Sequence, residues 1–168
     1  MNPDRHQIRL DIPTQTLELL KESGQVLTRY SISSAGNGPG EVMHSECTPR
    51  GRHIIRAKIG HGAPFNSVFV GRRPSGEIFD SESRRSNPER DWILTRIMWL
   101  SGCEPGFNRL GNVDTMRRYI YIHGAPDDVE MGQPGSHGCI RMTNRDVVEL
   151  FDRVDVGTPV QVYTGPTS

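Results

Sequence analysis

The sequence predicts a mainly β fold: a β-sandwich or barrel-like sheet that carries one well-defined helix. Three observations lead to this prediction. Short runs of alternating or β-branched residues recur along the chain between turn-forming residues. Gly and Pro are abundant, at 18 and 12 of 168 residues. Only residues 143–154 show a clear helical period. A chain of this length is expected to form one domain, residues 1–168.

Strand-like segments account for most of the chain, and two of them are joined by a Ser-Gly turn that predicts a hairpin. They are predicted at residues 7–12, 16–22, 25–33, 52–60, 66–73, 76–80, 92–100, 118–124 and 160–163. Two long loops, 33–51 and 102–116, are of the kind that often lines a functional site. The polar segment 81–91 is expected to be exposed.

The helix is predicted from its cap and its apolar period. Thr143 is a suitable N-cap residue, and Asp146 lies three residues further on, as in a capping box. Gly157 and Pro159 are expected to end the helix before a closing strand. The apolar positions follow the spacing i, i+3, i+4, i+7 and are Val147, Leu150, Phe151 and Val154.

Composition excludes several classes of partner. Lys plus Arg and Asp plus Glu both total 20, so nothing in the charge balance favours nucleic acid or an anionic membrane. Short arginine pairs at 72–73, 84–85 and 117–118 are interpreted as solvated surface. No run approaches the roughly 18 apolar residues of a membrane span. The first twenty residues lack an export signal and the cysteine count is odd, which together predict a cytoplasmic protein.

The segment GSHGCIRM, residues 135–142, contains the main candidate for chemistry. Cys139 stands among small and polar residues, whereas a structural cysteine is usually surrounded by apolar ones. Gly135 and Gly138 allow main-chain N–H groups to converge on one point, as an oxyanion hole requires. A thiol with a pKa of about 8.5 is only slightly ionised at neutral pH, so it needs a base or a nearby positive charge.

Two histidines are placed to activate this thiol. His137 is two residues from Cys139. His123 ends the strand-like segment 118–124, from which a loop can return the chain to the same place. One histidine two residues before a cysteine is a weak signal alone. A strand ending in His-Gly, followed by Ser-His-Gly-Cys before a capped helix, is far more specific and indicates a cysteine nucleophile.

The segment YIHGAPDDVEMGQPGSHGCIRM, residues 121–142, resembles the active-site segment of the L,D-transpeptidase catalytic-domain (YkuD-like) family. The hallmark of that family is His-Gly followed by Ser-His-Gly-Cys and then an arginine. TPRG at 48–51 resembles a second family motif, and GTPVQVY at 157–163 resembles its closing strand. The resemblance covers about residues 30–163, of which 72–118 is less similar.

The resemblance implies that Cys139, His123 and His137 are the catalytic residues. Cys139 would be the nucleophile, and His123 would be the general base that takes its proton. The main-chain carbonyl of Gly124 would orient the imidazole, because no carboxylate stands at that position.

The resemblance also implies the groups around the thiol. His137 would lie close to the sulfur and tune it. The main-chain N–H groups of Gly138 and Cys139 would hold the oxyanion. Arg141 and Ser136 would bind substrate, the arginine through a carboxylate, for which its two-pronged donor geometry is suited. No metal and no cofactor are implied.

The family cuts the bond between the L-centre of the third residue of a peptidoglycan stem and a terminal D-amino acid. Stem peptides or muropeptides would therefore be the partners. Transfer of the resulting thioester to an amine gives a cross-link or an exchanged D-amino acid, and transfer to water gives a shortened stem. Because the predicted cytoplasmic location holds no polymerised wall, we expect an L,D-carboxypeptidase that trims recycled or nucleotide-linked muropeptides, with L,D-transpeptidation as the alternative.

Two other classes of function use the same residue types. In a zinc hydrolase, His123, His137 and Cys139 would be the ligands. Against this, the nearby carboxylates lack ligand spacing, and Arg141 would lie unfavourably beside the cation. In a non-catalytic module, the same surface would bind wall fragments without turnover.

Overall fold

The computed structural model describes residues 5–165. Among these residues it contains ten β-strands, two α-helices and one 3-10 helix, Gly111–Val113. The helices are α1 (Ser81–Ser86) and α2 (Asn144–Arg153). The strands are β1 (His6–Asp11), β2 (Thr16–Lys21), β3 (Val26–Ser31), β4 (Gly51–Ile59), β5 (Ser67–Val70), β6 (Arg73–Ile78), β7 (Leu94–Gly102), β8 (Tyr121–Ala125), β9 (Ile140–Thr143) and β10 (Pro159–Tyr163).

The ten strands form one curled half-barrel sheet, which confirms the predicted mainly β fold. Its main path runs in the order β3-β2-β1-β10-β4-β7-β5-β6. Strand β7 lies at a branch point, because it also pairs antiparallel with β8. Strand β9 then pairs with β8 in parallel. The branch β7-β8-β9 carries the residues singled out above.

Helix α2 packs on one face of this branch. The predicted cap is present, because the Thr143 side chain accepts a hydrogen bond from the Asp146 main-chain N–H at 3.1 Å. Leu150 is fully buried, and the core cluster that contains it also contains Ile122 of β8 and Ile140 of β9. Burial of each such side chain contributes about 2 kcal/mol. The helix therefore holds β8 and β9 in place from behind. No helix within residues 5–165 is both long and apolar enough to cross a membrane.

The structure contains one strand and one α-helix that the sequence patterns did not indicate. Strand β9 lies between Cys139 and α2, so the cysteine precedes a short strand and not the helix itself. Four residues are too few to show a convincing alternation, and the pairing of β9 depends on a strand distant in sequence. Helix α1 buries no residue and therefore has no apolar period, although Asp80 and Ser83 cap it reciprocally.

Candidate active site

The parallel register of β8 and β9 brings the two predicted motifs together. Ile122 lies opposite Ile140, and His123 lies opposite Arg141. Side chains alternate between the two faces of a sheet, so the isoleucines enter the core while His123 and Arg141 share the other face. Cys139 comes immediately before β9 on this second face. Residues sixteen positions apart in the chain thus become neighbours on one surface.

The loop that presents Cys139 is held by its own side chains and by the TPRG segment. The Ser136 hydroxyl donates to the Cys139 carbonyl at 2.5 Å and accepts from the Gly138 N–H at 3.2 Å. The Thr48 hydroxyl donates to the Gly138 carbonyl at 2.8 Å. Ser136 is buried, and the hydroxyl that was predicted to bind substrate is engaged within the loop. The TPRG segment contributes by shaping this loop.

Gly138 is the residue that allows the tight approach to Cys139. Its φ of 130° lies in a region that side-chain-bearing residues rarely adopt. A Cβ atom at this position would lie 3.2 Å from Ile120 Cδ1 and 3.3 Å from the Cys47 carbonyl. Of the two predicted oxyanion donors, the Gly138 N–H is occupied by Ser136. The Cys139 N–H forms no hydrogen bond with the described residues 5–165 and is the available donor.

The Cys139 thiol is half-buried and neutral. It donates a hydrogen bond to the Tyr119 carbonyl at 3.3 Å and accepts one from the Tyr121 N–H at 3.3 Å. Burial raises the pKa of Cys139 to about 12, although the Tyr121 N–H and the charge of Arg118 act in the opposite direction. The free protein therefore holds a thiol and not a preformed thiolate. A base must remove the proton during the reaction.

Alkylation of Cys139 by iodoacetamide is expected to accelerate about tenfold for each pH unit across the neutral and mildly alkaline range. The reason is that only the thiolate reacts, and its fraction grows tenfold per unit below a pKa of about 12. Mass spectrometry of the Cys139 peptide measures the rate separately from Cys47 and Cys103. A rate that levels off near neutral pH would show a preformed thiolate and contradict this prediction.

His123 is fully buried and has one free ring nitrogen. Its Nδ1 lies 2.6 Å from the Gly124 carbonyl, which is the contact predicted from the sequence. Because that carbonyl only accepts, Nδ1 carries the proton and Nε2 is left as the basic atom. Nε2 is buried and has no hydrogen-bond partner among residues 5–165. Burial lowers the pKa of His123, against the opposing charge of Asp91, so the imidazole is neutral and able to accept a proton.

Gly124→Ala is expected to destabilise the fold by about 2–4 kcal/mol. A Cβ atom at this position would lie 2.6 Å from the Leu94 carbonyl and would also collide with the Asn144 side chain. Urea unfolding measures the loss. Gly36→Ala is the matched control, because its Cβ would meet only atoms at 3.6 Å or beyond. Equal stability of the two variants would contradict the prediction.

His137, which was predicted to lie close to the sulfur, lies at the surface of the protein. Its side chain is exposed, and its ring forms no hydrogen bond with Cys139. It lines a cavity of about 340 Å³ together with His44, Glu46 and Tyr119. The structure thus places His137 on the wall of a cavity that it shares with Tyr119, whose carbonyl accepts the hydrogen bond of the thiol.

Arg141 lies within the site and is not neutralised by the acidic loop that follows β8. Its Nη2 donates to the Ser33 hydroxyl at 2.9 Å, while its Nε is buried without a partner among the described residues. Burial lowers the pKa of Arg141, and the charge of Asp91 opposes this. Asp128, which lies in that loop, receives two hydrogen bonds from Arg84, at 2.7 and 3.0 Å.

The three arginine pairs are not simply solvated surface, because one member of each pair contacts the body of the protein. Arg84 binds Asp128, as described above. Arg118 donates to the Cys47 carbonyl at 2.7 Å and contributes positive charge beside the thiol. Arg72 donates to the Tyr121 hydroxyl at 3.1 Å. Tyr121 itself was missed, although its position two residues before His123 puts both on one face of a strand.

The described residues do not assemble a metal site. No group of three or more His, Cys, Asp or Glu side chains within 5–165 is arranged to hold an ion. The zinc-hydrolase alternative required His123, His137 and Cys139 to converge. The exposed position of His137 and the hydrogen bonds of His123 and Cys139 give no such convergence.

The sequence has relatives among curated proteins. It is 43% identical over 49 residues to the probable L,D-transpeptidase YbiS of Escherichia coli K12, which covers 29% of this chain and 16% of that protein. It is 42% identical over 57 residues to the putative L,D-transpeptidase YqjB of Bacillus subtilis, which covers 34% of this chain and 31% of that protein. The matched regions thus span less than a third of each relative.

Solved structures share the fold. An L,D-transpeptidase from Mycobacterium smegmatis superposes with a TM-score of 0.56 at 19% identity, covering 95% of this chain and 59% of that one. L,D-transpeptidase 3 from Mycobacterium tuberculosis, in complex with a faropenem-derived adduct, gives 0.56 at 17% identity, covering 94% and 59%. The family described as the L,D-transpeptidase catalytic domain, YkuD, matches residues 5–162. With nearly the whole chain matched, the protein belongs to the YkuD family of L,D-transpeptidase catalytic domains.

Proposed function

We propose that this protein is a cysteine acyltransferase that cleaves peptidoglycan stem tetrapeptides before their terminal D-alanine. One observation carries the proposal: His123 Nε2, which has no hydrogen-bond partner among residues 5–165, lies buried on the same sheet face as the half-buried Cys139 thiol. A neutral base and a neutral thiol form the pair needed for proton removal at the moment of attack. The YkuD family and the names of the relatives support the substrate class.

The proposed reaction proceeds in two halves. His123 Nε2 takes the Cys139 proton as the sulfur attacks the carbonyl of the third stem residue. The Cys139 main-chain N–H donates to the oxygen that gains the negative charge. The C–N bond then breaks, the imidazolium returns its proton to the leaving amine, and D-alanine departs. A thioester on Cys139 remains.

We further propose that water is the main acceptor of this thioester, which makes the protein an L,D-carboxypeptidase. Hydrolysis needs no binding site for a second stem peptide. Recycled or nucleotide-linked muropeptides would be the substrates of this hydrolysis. The relatives named L,D-transpeptidases equally support an amine as acceptor, so the products decide between the two reactions.

Mass spectrometry of a tetrapeptide muropeptide incubated with the purified protein tests both halves. The expected product is a tripeptide muropeptide that has lost D-alanine and gained one hydroxyl from water. In water enriched in ¹⁸O, this product should carry one ¹⁸O atom. Cross-linked dimers as the main product would establish transpeptidation and overturn the carboxypeptidase proposal. Release of no D-alanine, in either form, would overturn the acyltransferase proposal itself.

A further inference from the structure

The turn between β5 and β6 holds an arginine against the aromatic side of the site. Gly71 and Arg72 both have positive φ, at 55° and 66°, which is uncommon for a residue with a side chain. The Arg72 guanidinium donates to the Tyr121 hydroxyl at 3.1 Å. Its carbon lies 5.0 Å from the Trp99 ring centre and 4.6 Å from the Tyr119 ring centre. These rings stabilise the cation by their π-faces.

The same aromatic residues hold the nucleophile. The Tyr121 N–H and the Tyr119 carbonyl are the two main-chain groups hydrogen-bonded to the Cys139 sulfur, each at 3.3 Å. The side chains of these two tyrosines contact the Arg72 guanidinium, and their main-chain groups form hydrogen bonds with the thiol. The guanidinium is therefore positioned relative to the sulfur by two shared residues.

The charge of Arg72 is not neutralised by the protein. Within residues 5–165 it forms no ion pair with a carboxylate, whereas Arg84 and Arg50 do. A guanidinium has five N–H donors, and Arg72 uses one of them, on Tyr121. Aromatic faces attract a cation without cancelling its charge. A half-buried guanidinium that is fixed by these aromatic residues, and that forms no ion pair within residues 5–165, is suited to a carboxylate.

Arg72 and Arg141 stand on opposite sides of the catalytic pair. Tyr121, which Arg72 contacts, pairs with Trp99 of β7, whereas Arg141 lies on β9 opposite His123. On the sheet surface, the Cys139–His123 line thus has one guanidinium on the β7 side and the other on the β9 side. A peptide lying across the thiol meets a positive charge in each direction.

We propose that Arg72 is a specificity-determining residue that binds a carboxylate of the stem peptide whose acyl group Cys139 accepts. This inference rests on the proposed function for its substrate. The aromatic residues Trp99, Tyr119 and Tyr121 act as the support that fixes the guanidinium. Arg72, the first residue of the segment 72–118 that is less similar to the family, thereby contributes a charge that selects anionic peptides.

Selective alkylation of Cys139 tests the charge without requiring any substrate. Iodoacetate is an anion and iodoacetamide is its neutral counterpart, so the ratio of their rates at Cys139 reports the local positive charge. Arg72→Met is expected to lower this ratio about tenfold, and Arg72→Lys to restore part of it. Arg73→Met removes the same charge from the adjacent exposed position and should leave the ratio unchanged. A ratio unaffected by Arg72→Met would overturn the proposal.

Steady-state kinetics then tests the role with the peptide. Arg72→Met is expected to raise KM for a tetrapeptide muropeptide about tenfold, with a smaller change in kcat. A loss confined to kcat would indicate that Arg72 only supports the fold around the thiol and would overturn the binding role. If the wild type releases no D-alanine, the proposed function fails, whereas the alkylation ratio still decides whether Arg72 attracts an anion.

Discussion

Cys139→Ala is expected to lower D-alanine release from a stem tetrapeptide by about 10⁴-fold or more, because no other group can form the thioester. Stability should change little, since the thiol is only half-buried and its two hydrogen bonds are to main-chain groups. Quantification of free D-alanine measures the loss, and thermal unfolding monitors the fold.

A matched cysteine separates this effect from general thiol loss. Cys103→Ala removes another half-buried free cysteine and should retain the wild-type rate. Residual activity of Cys139→Ala within tenfold of the wild type would show that the reaction does not use this thiol. Intact-mass analysis of the wild type caught during turnover should instead show an acylated species that the alanine variant lacks.

His123→Gln is expected to lower kcat by about 10²–10⁴-fold, the usual contribution of a positioned base. Glutamine keeps a polar side chain of similar size but cannot accept the thiol proton. The loss of kcat should be large because the Cys139 pKa of about 12 leaves almost no thiolate that could react without a base. Rates of D-alanine release over a range of pH measure the change.

The pH profile gives a second test of the same residue. Burial lowers the pKa of His123 below its ordinary value of 6.5, so the acid limb of kcat/KM for the wild type should lie below that value. Below the lowered pKa, the imidazole is protonated and cannot act as a base. His123→Gln should lose this limb. An acid limb above 6.5 would contradict the assignment of a buried, neutral base.

His53→Gln is the control for removal of a buried histidine. His53 is also buried, and burial lowers its pKa to about 4. Its ring nitrogens contact the Gly51 carbonyl and the Thr115 hydroxyl, both at 3.0 Å. This variant should lose stability but keep the acid limb of the pH profile. Equal losses of kcat in the two variants would indicate that His123 has only a structural role.

The fold was predictable wherever a local pattern determines an element. The alternation in β1, the hairpin of β2 and β3, and the capped apolar stripe of α2 are all visible in short windows of sequence. Strand β9 was not predictable in this way, because its pairing with β8 creates it. Helix α1 was missed because it buries nothing and so carries no period.

The site was predictable where residues are joined by a motif and unpredictable where tertiary contacts join them. Cys139 and His123 stand in hallmark segments, and the Gly124 carbonyl follows His123 directly. Arg72 contacts Trp99 only because the β5–β6 turn folds over that ring, and no spacing in the sequence indicates the contact. The contacts of Arg84 and Arg118 were not predicted for the same reason, because each joins residues that are distant in the sequence.

Residues 127–135, the first part of the connection between β8 and β9, separate the nucleophile from its base along the chain, whereas the following residues 136–139 present the thiol. The thiol and the imidazole are aligned by the pairing of β8 with β9 and by the helix behind these strands. The stretch 127–135 is anchored separately, because the Gly132 and Gly135 N–H groups donate to the Ile32 and Ser34 carbonyls, both at 2.8 Å. Most of residues 127–135 are exposed. This stretch is thus a place where length can vary in evolution, or where a peptide tag can be grafted, while the thiol and imidazole keep their alignment.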